Sequence, residues 1–249
     1  MTTAEPSADP GAEPLTLYCV PHAGGSARSF LRWRREMPAA VRVAPLEIAG
    51  RGRRTREPRH ASLQEAARDL ADGLEPSGRY AILGHSMGGL IAHELARLLT
   101  DRGTAPEFLV VAATRPCHLL SPDAYAPLLE LPDDLLLETL AEHATIPAEL
   151  VHSPMRALFV PVIRGDLELI AGYRPDLTAE PLPVELSAWY GTEDATTPPE
   201  VMADWQRHTR LPCRVDAFAG GHFFLHDHLE PVAARLVELA LAGSTPRTG

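Results

Sequence analysis

Six short apolar runs rich in β-forming residues recur along the chain: "LTLYCV" (15–20), "VRVAPLEI" (41–48), "YAIL" (80–83), "FLVVAA" (108–113), "VELSAWY" (184–190) and "CRVDAF" (213–218). Runs of this length with little polar interruption predict strands buried on both faces. Between them stand segments whose apolar residues recur at helical spacing, "SFLRWRREM", "LQEAARDLADGL", "GLIAHELARLL" and "PPEVMADWQRH", with "PVAARLVELALA" closing the series. Alternating strands and helices predict an α/β fold: a mostly parallel central sheet with helices on both faces. The chain shows no internal repeat and no low-complexity segment.

The alternation breaks once, from about 115 to 180, where Leu-rich helical stretches such as "DDLLLETLAEH" and "VPVIRGDLELIAGY" follow one another without a strand between them. These helices could simply extend the core. Their position favours an inserted helical lid, because the segment leaves after one strand and returns before the next, on the rim where α/β sheets bind ligands.

Length changes this picture little: 249 residues fit one domain, expected over 15–243, with a disordered tail at 1–14 and a flexible tail at 244–249. Composition, 45% hydrophobic and 22% charged, contains no apolar stretch near the eighteen or so residues of a membrane span. The opening "MTTAEPSADPGAEP" lacks the basic and apolar regions of a secretory signal, so a cytoplasmic location is expected. Cys19, Cys117 and Cys213 are odd in number and widely spaced, which indicates neither a disulfide framework nor a zinc site; Cys19 and Cys213 are expected as buried packing residues. A net charge of −10 argues against general nucleic-acid binding, while leaving room for a local basic docking surface.

Candidate chemistry centres on Gly84-His85-Ser86-Met87-Gly88, a G-x-S-x-G pentapeptide placed directly between an apolar strand and a helical pattern. The pentapeptide alone is weak, but this context is that of a nucleophile elbow. The glycines relieve crowding in a tight strand-to-helix turn that holds the hydroxyl out at the strand's end. A serine hydroxyl needs a base, and the base an orienting acid, in the chain order Ser, Asp or Glu, His. "AWYGTEDATTPPE" offers Glu193 and Asp194, which spacing barely separates; "AFAGGHFFLHDH" offers His222, His226 and His228. His222 is chosen as base because Gly220 and Gly221 let its loop turn sharply. His226 and His228 read as ordinary helix-turn residues, and no metal is expected.

Two N–H donors must stabilise a tetrahedral intermediate. The Met87 amide is one, and the loop "VPHAGGSARSF" after the first strand supplies the other. Within that loop His22 could be a second base, but a residue holding the loop by hydrogen bonds is the better reading.

With these pieces in place, the chain resembles the type II thioesterases, stand-alone α/β hydrolases that edit polyketide synthases and nonribosomal peptide synthetases. The resemblance runs from residue 15 to about 241 through "VPHAGGSARSF", "LEIAGRGRRTREP", "LGHSMGGLIAHELAR", "PVIRGDLELIAGYRP", "GTEDATTPP" and "GGHFFL" in family order. It implies Ser86 as nucleophile, His222 as base, Asp194 rather than Glu193 as acid, and Ala23 and Met87 as oxyanion donors. Ala49 stands where the family usually has Pro, and Val20 where it often has Phe; neither touches the chemistry. The implied reaction is hydrolysis of stray acyl groups from the phosphopantetheine arm of an acyl or peptidyl carrier protein, with no cofactor beyond the arm the substrate brings.

Carrier proteins are generally acidic, and "GRGRRTREPR" holds five arginines, so Arg51, Arg53 and Arg54 are the expected docking residues; the alternative is a solvated loop pairing with Glu57. Rival readings are an oxygen-ester lipase or carboxylesterase, a chain-releasing thioesterase domain, and a non-hydrolytic acyl-carrier binder. The chain's own Met1 and the lack of an attached carrier domain favour action in trans.

Overall fold

The structure, a computed structural model, describes residues 13–243; nearly all of the expected N-terminal tail and the whole of the C-terminal one lie outside these residues. Six strands form a single sheet: β1 (Leu15–Val20), β2 (Val41–Pro45), β3 (Tyr80–His85), β4 (Phe108–Ala112), β5 (Glu185–Gly191) and β6 (Arg214–Phe218). Their spatial order is β2-β1-β3-β4-β5-β6, and every neighbouring pair is parallel.

The helices are α1 (Trp33–Glu36), α2 (Leu63–Asp72), α3 (Met87–Asp101), α4 (Ala126–Leu129), α5 (Asp133–Glu142), α6 (Arg156–Gly172), α7 (Pro199–Ala203), α8 (Phe224–Asp227) and α9 (Leu229–Ala242). Strand side chains alternate between faces, and the core divides accordingly. Ile82, Leu109, Val111 and Leu186 pack with α2, α3 and α6 on one face. Leu17, Leu83, Val110 and Trp189 pack with Trp33 of α1 and with α9 on the other. The central strands β3 and β4 are buried throughout, as their apolar runs require.

The sheet's margins depart from that expectation. β6 pairs only with β5, and Arg214, Val215 and Ala217 are exposed along it, because an edge strand lacks a neighbour on one side. Cys213, just before it, is half-buried, whereas Cys19 is fully buried as expected. At the other edge β2 ends at Pro45, three residues earlier than the apolar run, where proline removes a ladder donor.

From β1 the chain goes first to β2 on one side and then back across to β3 on the other. The crevice between the C-terminal ends of β1 and β3 is therefore the topological switch point, where open α/β sheets bind ligands. Val20 pairs with Gly84 in register, so the loop beginning at Pro21 and the turn beginning at Ser86 emerge close together. The segment between β4 and β5 holds α4, α5, α6 and short helical turns, with no strand among the described residues. It lies against this rim: a Cβ placed on Gly24 would come within 2.7 Å of Ile163 Cγ1 on α6.

Candidate active site

Ser86 sits between β3 and α3 at φ 55°, ψ −122°, a left-handed backbone conformation unusual for a side-chain-bearing residue. The surroundings hold it there. Its amide donates to the Ala112 carbonyl at 2.8 Å, its own carbonyl accepts from the Gly89 amide at 2.8 Å, and Thr114 Oγ1 donates to the same carbonyl at 2.9 Å. The glycines around it are a matter of space. A Cβ on Gly84 would lie 2.1 Å from the Gly88 carbonyl oxygen, and one on Gly88 would lie 2.4 Å from that of Val20. Both obstacles are backbone and cannot swing aside. Gly88→Ala is therefore expected to cost more stability than the ~1–3 kcal/mol of ordinary core overpacking, as read from the urea midpoint, or to abolish soluble expression. A variant with the wild-type midpoint would contradict this packing.

His222 follows β6 on a loop whose turn places Gly220 at φ 105°. Its Nε2 lies 3.0 Å from Ser86 Oγ, and its Nδ1 lies 2.8 Å from Asp194 Oδ2. That arrangement fixes the tautomer: Nδ1–H donates to the carboxylate, and Nε2 faces the hydroxyl as acceptor. Asp194 follows β5 and also accepts from Thr196 N at 2.9 Å, Thr196 Oγ1 at 2.6 Å and Thr197 Oγ1 at 2.8 Å. Burial would raise its pKa, but the hydrogen bonds from His222 and Thr196 hold it at about 2, so the acid is ionised throughout the neutral range. Glu193, which spacing could barely separate from Asp194, is exposed.

The structure thus brings Ser86, His222 and Asp194 together from the ends of β3, β6 and β5. The Ala23 and Met87 amides flank the same crevice, on the loop after β1 and at the first residue of α3. Neither donates to a protein acceptor among the described residues. His22 lies in the loop itself, its Nδ1–H donating to the Ala23 carbonyl at 2.9 Å, which is the holding role expected of it.

Three supporting residues carried no assignment from sequence. Thr114 braces the elbow as described. His85, completely buried, donates from Nε2 to the His222 carbonyl at 2.8 Å and so ties the elbow to the loop of His222. Asp166 on α6 accepts the Gly24 amide on Oδ2 at 2.7 Å, anchoring the loop that carries Ala23. The His85 position is the variable residue inside the G-x-S-x-G motif, and Asp166 falls within the quoted "PVIRGDLELIAGYRP" segment. Position alone gave neither a role.

Asp166 also corrects one expectation. Arg51, expected at a docking surface, is buried: its guanidinium forms a two-pronged ion pair with Asp166, one contact being Nη1 to Oδ2 at 2.6 Å, and Nη1 also donates to the Gly25 carbonyl at 3.2 Å. A surface partner cannot reach it. Arg54 is likewise engaged, with Asp69 at 2.6 Å and with Glu57, the local pairing weighed as the alternative for this loop. Of the three, Arg53 is exposed and makes no side-chain ion pair among the described residues.

The family model of the thioesterase domain matches residues 15–238. The chain is 35% identical over 219 residues to thioesterase PikA5 of Streptomyces venezuelae, covering 86% of this chain and 76% of that protein. ClbQ from the colibactin NRPS/PKS pathway has a TM-score of 0.85 at 29% identity, covering 93% of this chain and 98% of its own. BorB, the type II thioesterase from the borrelidin biosynthetic cluster, has a TM-score of 0.80 at 29% identity, covering 94% of each chain. No helix among the described residues is long and apolar enough to cross a membrane. The chain belongs to the thioesterase family, on the α/β-hydrolase fold, and resembles the type II thioesterases of polyketide and nonribosomal-peptide pathways over nearly its whole length.

Proposed function

We propose that the protein hydrolyses acyl groups from the phosphopantetheine thiol of carrier proteins, acting in trans to clear stray short acyl units from a synthase. The observation that carries this reading is the Ser86–His222–Asp194 relay, with contacts of 3.0 and 2.8 Å.

In the first half-reaction Ser86 Oγ attacks the thioester carbonyl while its proton passes to His222 Nε2. The anionic Asp194 stabilises the imidazolium that results. The carbonyl oxygen becomes an oxyanion facing the Ala23 and Met87 amides, each such donor being worth about 3–4 kcal/mol in the transition state. Collapse of the intermediate breaks the carbon–sulfur bond; the pantetheine thiolate leaves and takes the proton from His222. In the second half-reaction His222 draws a proton from water, which attacks the acyl-serine, and the carboxylic acid departs as Ser86 regains its hydrogen. Apart from the substrate and one water, every group these steps require is a side chain or backbone amide of this chain. The helices inserted between β4 and β5 act as a lid that narrows the acyl chamber and sets what fits.

The test is turnover of an acyl-carrier thioester beside the matched oxygen ester. Preference for the thioester supports the proposal; equal or faster turnover of the oxygen ester would favour a carboxylesterase.

Arg53 lines a surface cavity of about 800 Å³ together with Arg28, Arg34 and the half-exposed Leu31. The same cavity is lined by Arg42, by the apolar Val43, Ala44 and Pro45 and by the buried Glu47, so arginines outnumber its one carboxylate; a concave, mainly basic surface suits an acidic carrier, and the docking proposal rests on this group in place of Arg51 and Arg54. Arg34→Glu combined with Arg53→Glu is expected to raise KM for the acyl-carrier substrate by about tenfold and to spare a small acyl-pantetheine thioester. Equal effects on both substrates would remove docking from this face.

A further inference from the structure

Behind the catalytic residues three imidazoles converge from three different segments: His22 on the loop after β1, His85 at the end of β3 and His226 in α8. One ring nitrogen from each lies within 4.8 Å of the others. Two of these residues have a buried ring nitrogen without a hydrogen-bond partner among the described residues, Nδ1 of His85 and Nε2 of His226. We propose that His22, His85 and His226 form a binding site for a zinc-class divalent cation, and that occupation of this site slows hydrolysis.

The surroundings have the character of a metal site. Ligating histidines usually donate their second ring nitrogen to a carbonyl or carboxylate, which fixes the tautomer and aims the free lone pair. His22 donates from Nδ1 to the Ala23 carbonyl and His85 donates from Nε2 to the His222 carbonyl. Each therefore keeps a lone pair on its other nitrogen. Three imidazoles without a thiolate suit Zn²⁺, with Cu²⁺ and Ni²⁺ as chemically related competitors. Tetrahedral zinc with bonds of about 2.0–2.1 Å places its ligand nitrogens about 3.3 Å apart. Each ring therefore needs to draw inward by less than about 1 Å, within the reach of small side-chain rotations. A cavity of about 490 Å³, lined by His22 and His226 and also by Arg32, Phe223 and Asp227, opens on the cluster. It supplies an entry path and room for water as the fourth ligand. His228, considered with His226 from sequence, is exposed and takes no part.

Binding and catalysis share two residues' neighbours. His22 precedes Ala23, one oxyanion donor, and His85 precedes Ser86 while holding the His222 carbonyl. Drawing both rings toward a cation moves the oxyanion loop and the base's loop together. This coupling rests on the acyl-transfer reading above; binding itself does not.

The experiment titrates Co²⁺, a spectroscopic stand-in for Zn²⁺, into the full chain and follows visible ligand-field absorption, then displaces it with Zn²⁺. One equivalent should bind to the wild type. His226→Phe and His226→Asn should each weaken binding at least about tenfold, the former keeping a ring among Phe30, Trp33 and Phe223. Histidine NMR of the wild type gives a measure that needs no substitution: with Zn²⁺, the resonances of these three imidazoles should shift and those of His222 should follow less strongly. Rates are compared with each protein's own metal-free rate, and Zn²⁺ should lower that of the wild type alone. Absent stoichiometric binding, equal affinity in both variants, or shifts centred on other histidines would overturn the site. Binding with an unchanged wild-type rate would overturn its coupling to catalysis.

Discussion

Ser86→Ala is expected to lower turnover of an acyl-carrier thioester by about 10⁴- to 10⁶-fold, with the fold intact and substrate still bound. The loss is chemical because, in the proposed reaction, the deleted oxygen is the group that accepts the acyl chain. His222 Nε2, 3.0 Å from that oxygen, keeps its place through Asp194, and its loop keeps the His85 bond. The elbow's braces survive as well: Thr114 and the Gly89 amide bond to the Ser86 backbone carbonyl, and the Ser86 amide bonds to Ala112. Melting temperature should therefore stay near that of the wild type, and carrier affinity should be unchanged. Intact-mass measurement after rapid mixing should show an acyl adduct on the wild type and none on the variant. A residual rate within tenfold of wild type would remove Ser86 from the nucleophile's position.

Asp166→Ala is expected to act on stability and rate together. Removing one partner of a buried ion pair leaves the other charge stranded, at a cost of about 3–5 kcal/mol. Here Arg51 would be left so, and the Gly24 amide would lose its acceptor in the same change. Gly24 adjoins Ala23, so the loop carrying the proposed oxyanion donor loses its anchor. A misplaced donor lowers kcat by about 10²- to 10³-fold, while KM for a small acyl-pantetheine thioester stays close to wild type. The double variant Arg51→Met with Asp166→Leu separates the two effects. Replacing the pair by apolar side chains removes the stranded charge and should restore much of the urea midpoint, yet kcat should remain low because nothing holds the Gly24 amide. Recovery of kcat along with stability would show that the pair has a purely structural role.

Much of this molecule is legible in its local patterns. Buried strands need apolar runs, and parallel strands need helical crossovers, so the alternation of segments already implied the sheet and its two covering layers. The elbow was legible for a related reason: a side-chain hydroxyl at positive φ, wedged where Gly84 and Gly88 touch backbone, leaves few residue types that fit. The placement of His222 beside Ser86 was legible through the flexible glycines preceding it. Edge strands were read less well. β6 carries the same β-forming residues as the interior strands, and only its place beside a single neighbour exposes Val215 and half-exposes Cys213.

Which segments become strands and helices, where the serine must turn and which residue types accompany it are written in local order, because each of these depends on neighbours a few positions away. Which distant groups meet is set by the way the folded elements pack. Arg51 and Asp166 stand 115 residues apart, and an arginine in a run of arginines looks solvated until α6 covers it. Asp194 prevails over the adjacent Glu193 because only its side chain faces His222 across the strand ends. The three imidazoles of His22, His85 and His226 likewise share no local pattern; the parallel register that aligns the ends of β1 and β3, and the turn that returns α8 over them after β6, bring their ring edges together.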